Sequence, residues 1–419
     1  MSRFDPMESF ANMRHEFGEH GGVNLSIEAS TTFTVMDART MPEIFQGRKG
    51  PDDEGGGCFL YGRHFNPTVY VLGKQIASLE GAEAGYCTAS GMGAISSVVL
   101  QVCGHGDHVV AGGAIYGGTF ALLEDYLPAK TGIHTTFADV TDPAAVEAAF
   151  TPRTKLLYVE TLTNPTLRVA DIPRMAEIAH ARGALLVVDN TFSPLVVAPL
   201  QHGADIVVHS LTKFVNGASD IVAGAICGST SFVRELMSLH TGSLMLLGPT
   251  LDPKVAFSIS MRVPHLGLRM KEHSHRALTF ATRLQELGVP VLYPGLPDHP
   301  DHGVLRRLMN PDYGFGGILC VDMGDVRRAN EFMEILQNKD RFGFMAVSLG
   351  YFETLMSCSS STTSSELSRE EQERAAIPSG LVRVSVGYTG SLEQRWRQLQ
   401  DALEILNLVP ARSVARSRP

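Results

Sequence analysis

The sequence lacks the features of a membrane-spanning or secreted protein. It has no run of about 18 apolar residues, the length that a membrane helix needs. The opening segment, MSRFDPMESFANMRHEFGEH, has acidic residues but no continuous apolar stretch, so we expect no secretory signal. The six cysteines form no CxxC pair, which is typical of free thiols in a reducing compartment. We therefore expect a cytoplasmic protein without a membrane partner.

An excess of positive charge is also lacking. The formal net charge is −9, and an acidic surface does not favour nucleic acid or anionic lipid. Hydrophobic residues make up 44% and charged residues 19%, which are ordinary values for a globular protein. His15 and His20 are five residues apart and do not share a helix face as an HExxH zinc pair does. We expect a small-molecule substrate, no nucleic-acid partner and no metal site.

What the sequence does contain, from about residue 68, is an alternation of apolar and amphipathic segments. TVYVLGKQIASLEG has a helical pattern that ends at Gly81. The strand-like segments are GYCTAS, HVVAGG, KLLYVE, ALLVVDN and DIVVHS. Continuous apolar strands separated by amphipathic helices predict an α/β fold with a mostly parallel sheet covered on both faces.

The pattern divides the chain into three predicted parts. Residues 1–65 are Gly-rich and irregular, and we expect an arm with short helical pieces that contacts a partner subunit. Residues 66–263 form the predicted α/β domain, and residues 264–419, with helices flanking short strands, a smaller α+β domain. The polar stretch 357–374 predicts a surface loop, and the tail 411–419 predicts disorder.

Polar residues follow three of the predicted strands. They are Glu160 to Asn164, Asp189 to Thr191 and Ser210 to Lys213. Ligands of open α/β sheets bind at the carboxyl ends of the strands, so these residues should converge on one crevice. Lys213 could bond to a cofactor aldehyde there, or be an ordinary solvated lysine. Asp189 could face a pyridinium nitrogen, or cap a helix.

Two small-residue motifs precede these strand ends. Ser90-Gly91-Met92-Gly93 lies between a strand and a helix and could cradle a phosphate, or form a tight turn. Tyr116, in YGGT, could stack on a flat ring or cap the core. The order and spacing of all these segments are more specific than any one of them.

In this order and spacing the chain resembles the Cys/Met-metabolism enzymes that use pyridoxal 5'-phosphate (PLP). The resemblance extends from about residue 61 to 390. The matching segments are YGRHFNPT, LEGAEAGYCTASGMGAI, YGGT, ETLTNPTL, VVDNTF, GADIVVHSLTKF, VSLG and GLVRVSVG. It implies PLP as cofactor and the aspartate-aminotransferase-like fold type I, with a mostly parallel seven-stranded sheet and a smaller α+β C-terminal domain.

The resemblance also implies a role for each matching residue. Lys213 would bind PLP covalently and move protons, Asp189 would pair with the pyridine nitrogen, and Tyr116 would stack on the ring and act on the γ-substituent. The other matches are Gly91, Met92, Ser210 and Thr212 for the phosphate, Asn164 near the ring hydroxyl, Arg383 and Ser348 for the substrate carboxylate, and Tyr61 and Arg63 for the phosphate of a neighbouring subunit. Shared sites imply a homo-oligomer, with a dimer of dimers usual in the family.

Within the family, the segments GSLMLLGPT and YFETLMSC resemble the plant-type methionine γ-lyase branch. The resemblance implies α,γ-elimination of methionine to methanethiol, 2-oxobutanoate and ammonia. The alternatives are γ-replacement, as in O-acetylhomoserine sulfhydrylase or cystathionine γ-synthase, and cystathionine γ-lyase activity. We expect the specificity pocket near Gly118, Tyr351, Glu353 and Met356. A non-catalytic protein on this fold would be expected to lack Lys213, Asp189 or Arg383, and all three are present.

Overall fold

A seven-stranded sheet organises the first part of the computed structural model, which describes residues 3–13, 18–53, 58–358 and 377–410. Its strands are β1 (Ala84–Thr88), β2 (His108–Gly112), β3 (His134–Ala138), β4 (Thr154–Glu160), β5 (Leu185–Asp189), β6 (Ile206–His209) and β7 (Gly224–Gly228). The strand order is β1-β7-β6-β5-β4-β2-β3. Only β7 runs antiparallel to its neighbours among these pairs. The prediction of a mostly parallel seven-stranded sheet is confirmed.

Helices cover both faces of this sheet and continue into the second part of the chain. They are α1 (Pro6–Asn12), α2 (Thr40–Phe45), α3 (Pro67–Glu80), α4 (Gly91–Val102), α5 (Gly117–Ala121), α6 (Leu127–Thr131), α7 (Pro143–Ala148), α8 (Ile172–Ala181), α9 (Thr230–Leu236), α10 (Ser243–Leu247), α11 (Pro253–Ser260), α12 (Leu266–Glu286), α13 (His302–Leu308), α14 (Val326–Glu334) and α15 (Leu392–Ile405). Helix α3 ends as predicted at Gly81, whose φ of 65° suits a residue without a Cβ. No helix in the described ranges is long and apolar enough to cross a membrane.

A second, five-stranded sheet forms the later part of the chain. Its strands are β8 (Val291–Leu292), β9 (Ile318–Asp322), β10 (Gly343–Met345), β11 (Thr354–Cys358) and β12 (Leu381–Ser385), in the order β10-β11-β12-β9-β8. The predicted domain boundaries at residues 65 and 263 stay a prediction. Arg168, after β4, joins the two parts of the chain through a 2.6 Å ion pair with Asp301.

Some local expectations differ from the structure. Strands β3 and β7 were not predicted, because HTTFA is half polar and GAICG is short and begins and ends with glycine. Ser357 and Cys358, which we expected in a loop, end the buried strand β11. The rest of that predicted loop, the tail and His15 lie outside the described residues.

A buried carboxylate connects the end of α3 to two strand ends of the large sheet. Glu80 Oε1 accepts hydrogen bonds from the Asn190 amide at 3.0 Å and from His209 Nε2 at 2.6 Å. Asn190 Oδ1 accepts in turn from the hydroxyls of Thr161 and Ser193. The side chains of Glu80 and His209 are each 3% exposed, so water cannot replace these contacts. The network therefore fixes the backbone next to the predicted site residues.

Removing the Glu80 carboxylate should destabilise the protein. Glu80→Ala removes the acceptor of His209 Nε2 and one of the two acceptors of the Asn190 amide, and we expect a loss of about 3 kcal/mol of unfolding free energy. Glu177→Ala is a matched control, since Glu177 pairs with Arg174 on the surface with 66% of its side chain exposed. We expect the control to lose less than about 0.5 kcal/mol. Equal urea midpoints for the two apoproteins, measured by circular dichroism, would contradict the structural role of Glu80.

Candidate active site

A cavity of about 270 Å³ opens at the carboxyl ends of the parallel strands. Most of the predicted site residues line it: Gly91, Met92, Tyr116, Asn164, Asp189, Ser210, Thr212, Lys213 and Arg383. They come from loops that are distant in sequence, and the parallel strands β4, β5 and β6 bring three of these loops to one edge of the sheet. The expected crevice therefore exists, and we treat it as the candidate active site.

Lys213 lies in the turn that follows β6 and is largely buried. Its Nζ donates a hydrogen bond to Ser348 Oγ at 3.1 Å. Burial, and secondly the positive charge of Arg383, lower the pKa of Lys213 to about 8. A substantial fraction of the amine is therefore neutral near physiological pH, which is the form that attacks an aldehyde carbon.

Asp189 ends strand β5 and is 8% exposed. Its Oδ1 accepts from the Thr191 backbone N–H at 2.9 Å, and its Oδ2 accepts from the Tyr158 hydroxyl at 3.1 Å. These hydrogen bonds fix the orientation of the carboxyl group. A carboxyl group held in this way in a ligand cavity can face the nitrogen of a bound ring.

Glu160 is a second buried acid, and our sequence analysis gave it no role. It ends strand β4 directly opposite Asp189. Its two carboxylate oxygens accept backbone N–H bonds from Tyr116 at 2.8 Å and Asn164 at 3.1 Å. Burial, and then the charge of Asp189, raise the pKa of Glu160. In the sequence, Glu160 could have been recognised as a charged residue at the end of an apolar strand. Its contacts show that it positions two predicted site residues, Tyr116 and Asn164.

The beginning of helix α4 forms a cradle suited to a phosphate. Ser90 caps the helix by accepting from the Gly93 N–H at 2.9 Å. A Cβ at Gly91 would lie 2.9 Å from the Ser210 Cβ, so only glycine lets the helix approach the turn that carries Ser210. Thr212 lies in the same turn and lines the same cavity. Backbone N–H groups of a helix start, next to hydroxyls, bind phosphate oxygens.

Arg383 reaches the cavity from strand β12 of the second sheet. Its guanidinium donates to Asn164 Oδ1 at 2.9 Å and to the Ser348 carbonyl at 3.3 Å. Burial lowers the pKa of Arg383, which nevertheless remains a cation because guanidinium is a very weak acid. A buried arginine beside a reactive lysine suits recognition of a substrate carboxylate.

Three predicted site residues do not line the cavity. Ser348 instead contacts the Lys213 amine. Arg63 donates to the Met245 carbonyl and lies 5.7 Å from the Tyr61 ring centre. Tyr61 is 44% exposed. Within one chain, Tyr61 and Arg63 therefore lie outside the candidate active site.

The residues expected to form the specificity pocket also lie outside the cavity lining. Glu353 pairs with Arg395 at 2.9 Å, and Met356 is buried in β11 with 1% exposure. Gly118 lies beside Tyr116, and a Cβ at position 118 would be 2.6 Å from the tyrosine ring. Gly118 can therefore affect the cavity only through the position of Tyr116.

These features fit PLP in both charge and shape. A partly neutral buried lysine can bond to the aldehyde, the Asp189 carboxylate can face the ring nitrogen, and the start of α4 can hold the phosphate. The fold and the site together define a PLP-dependent enzyme of fold type I.

Comparison with known proteins specifies the family. The profile of the Cys/Met metabolism PLP-dependent enzymes matches residues 10–404, and the chain belongs to this family. A methionine gamma-lyase of Arabidopsis thaliana is 57% identical over 95% of this chain and 90% of its own length. An O-succinylhomoserine sulfhydrylase of Pseudomonas aeruginosa is 39% identical over 88% of this chain and 87% of its own.

A solved structure supports the same cofactor. The crystal structure of a putative O-acetylhomoserine (thiol)-lyase from Campylobacter jejuni, which contains N'-pyridoxyl-lysine-5'-monophosphate, superposes with a TM-score of 0.86 at 25% identity. The alignment covers 96% of this chain and 100% of that one. PLP is accordingly the cofactor of this enzyme.

The pKa of Lys213 predicts how the apoprotein captures PLP. The protonated amine cannot attack the aldehyde, so the rate of capture should rise with pH, with a midpoint at about 8. A short peptide with one ordinary lysine is the control, and its midpoint should be about 10.4. Stopped-flow absorbance of the bound cofactor would measure both, and coincident midpoints would contradict the lowered pKa of Lys213.

Proposed function

We propose that this enzyme is a methionine γ-lyase, which converts L-methionine and water to methanethiol, 2-oxobutanoate and ammonia. The observation that carries the proposal is the 57% identity to the methionine gamma-lyase of Arabidopsis thaliana, over 95% of the chain. The same chain retains a partly buried lysine, a buried acid and a buried arginine around one cavity.

The chemistry of the cavity supports a substrate with one charged end. In the part of the chain that the structure describes, its charged lining residues are Lys213, Arg383, Glu160 and Asp189. Each already has a partner or a proposed partner within the site. Apolar side chains supply much of the remaining lining: Ile95, Leu162, Phe192, Val222, Val347 and Leu349. The methylthio group of methionine suits these walls, whereas the second amino-acid end of cystathionine would need further charged partners.

We assign the steps of the reaction to three side chains. PLP, when bound, supplies an electrophilic carbon for the substrate amine and a ring that accepts electron density from the substrate α-carbon. Arg383 binds the substrate carboxylate, and Lys213 Nζ removes the α-proton and then a proton from the β-carbon. The Tyr116 hydroxyl gives a proton to the departing γ-thiolate, which leaves as methanethiol. The two protons taken by Lys213 are returned in turn to the γ-carbon and the β-carbon of the remaining skeleton, and water then releases this skeleton as 2-oxobutanoate and ammonia.

We also propose a homo-oligomer, at least a dimer and in full a dimer of dimers, in which each site uses two residues of a neighbour. Tyr61 and Arg63 match the family's phosphate-binding residues but lie outside the cavity of their own chain. Tyr116 is 45% exposed although it lines the cavity, which leaves room for a neighbouring subunit to cover it. A cytoplasmic location is supported by six cysteines that form no disulfide.

The proposed activity predicts specific products. The purified holoenzyme given L-methionine alone should release methanethiol and 2-oxobutanoate in equal amounts, measured with a thiol reagent and by chromatography of the keto acid. Lys213→Ala should release neither, because the base for both protons is missing. Release by this variant at the wild-type rate would contradict the role of Lys213.

The same assay separates elimination from replacement. The enzyme should be tested with cystathionine and with O-acetyl- and O-succinylhomoserine, each with and without sulfide. No methanethiol from methionine, together with homocysteine from an activated homoserine and sulfide, would replace the lyase proposal by γ-replacement. Cleavage of cystathionine in strong preference to methionine would assign a cystathionine γ-lyase.

Shared sites predict complementation between inactive variants. Arg63→Ala and Lys213→Ala should each be inactive, since one loses a phosphate contact and the other the reactive amine. A refolded equimolar mixture contains hybrid dimers with one intact site, so about one quarter of wild-type activity should return for a two-fold dimer. Lys213→Ala refolded alone is the control. An inactive mixture in which native mass spectrometry detects hybrids would show that each site is built within one chain.

A further inference from the structure

Tyr158 is a fully buried tyrosine whose hydroxyl touches the proposed cofactor partner. It lies on strand β4, two residues before Glu160, and therefore points to the same face of the sheet as Glu160 and Asp189. Its ring is 0% exposed, and its hydroxyl donates to Asp189 Oδ2 at 3.1 Å. Tyr158 does not line the cavity itself, so any effect on the reaction must pass through Asp189.

The surroundings of Tyr158 keep its hydroxyl a donor. Burial, followed by the charges of Asp189 and Glu160, raise the pKa of Tyr158 well above its ordinary value. The phenol therefore retains its proton across the working pH range. Thr119, buried in the YGGT motif, lies beside the Tyr158 side chain, and its hydroxyl donates to Met92 Sδ at 3.9 Å.

We propose that Tyr158 is a positioning residue that keeps the shared proton on the pyridine nitrogen of PLP by donating a hydrogen bond to Asp189. The proposal rests on the proposed pairing of Asp189 with that nitrogen. By donating to Oδ2, the Tyr158 hydroxyl holds Asp189 as a fixed acceptor beside the ring, which is the arrangement that leaves the proton on the ring nitrogen. The Thr191 N–H fixes the other carboxylate oxygen, and together the two donors set the direction of Asp189.

A protonated ring nitrogen strengthens the electron-accepting capacity of the cofactor. Tyr158 therefore contributes to removal of the substrate α-proton without contacting the substrate. Arg383, the arginine proposed to bind the substrate carboxylate, donates to Asn164 and Ser348 and not to Tyr158. The effect of Tyr158 should therefore fall on turnover more than on substrate affinity.

The direct test is the protonation state of the cofactor nitrogen in Tyr158→Phe. Holoenzyme is reconstituted with PLP labelled with ¹⁵N in the ring, and the ¹⁵N chemical shift is measured by NMR. We expect the resonance to move from the protonated position of the wild type toward the neutral position. We also expect kcat for methionine to fall about tenfold with KM nearly unchanged, the scale of one hydrogen bond to a charged group.

Tyr293→Phe is the matched control. Tyr293 is also 0% exposed, and its hydroxyl donates to the Gly316 carbonyl at 2.8 Å. Neither Tyr293 nor Gly316 lines the cavity. Its loss removes a buried hydrogen bond but should leave the ¹⁵N shift and kcat at wild-type values. Replacement of Tyr158 by 4-fluorophenylalanine fills the space of the hydroxyl without a donor. It should give the same displaced ¹⁵N resonance, and it tests the proposal even if Tyr158→Phe does not fold.

Asp189→Asn separates failure of this proposal from failure of the proposed site. A shift in Asp189→Asn with none in either Tyr158 variant would overturn the role of Tyr158 and leave Asp189 in place. No shift in Asp189→Asn would show that Asp189 does not contact the ring nitrogen, and both proposals would then fall.

Discussion

The active site depends on the Glu80 carboxylate, which is buried beneath it and touches no substrate. A buried charge is tolerated only when it is paired, and Glu80 is paired with the residues that follow Asp189 and precede Ser210. The end of helix α3 and two strand ends therefore have one low-energy arrangement. Asp189 and Ser210 are held by this arrangement, since each is the immediate neighbour of a residue that contacts Glu80.

Two basic and two acidic side chains line the cavity. They are Lys213 and Arg383, and Glu160 and Asp189. The proximity of Arg383 helps to keep the Lys213 amine partly neutral. The Glu160 carboxylate accepts the backbone N–H bonds of Tyr116 and Asn164, and so fixes the two loops that carry these residues. One set of electrostatic contacts thus makes the lysine reactive and also holds the residues around it.

The sequence allowed the fold class and most of the cavity lining to be predicted, because parallel strands bring their carboxyl ends together and the motif residues stand at those ends. Tyr158 was missed because an aromatic residue within an apolar strand is typical of the hydrophobic core. Its single hydroxyl does not change the apolar pattern of the strand. The contact of Lys213 with Ser348 links positions 135 residues apart, which no local pattern reports. The arm residues Tyr61 and Arg63 could be found only by resemblance, since their proposed partners belong to another chain.

Three side-chain contacts join the loops of the large sheet to the later part of the chain, and they would couple the movements of these two parts. Asn164 with Arg383, Lys213 with Ser348 and Arg168 with Asp301 all cross from the large sheet's loops to the later part of the chain. The first two pairs include residues that line the cavity, while the third pair lies outside the cavity lining. Small relative displacements of the two parts would therefore reach Arg383, the residue that we propose binds the substrate carboxylate. The Arg168–Asp301 pair therefore joins the same two parts of the chain at a point that a substrate in the cavity would not meet.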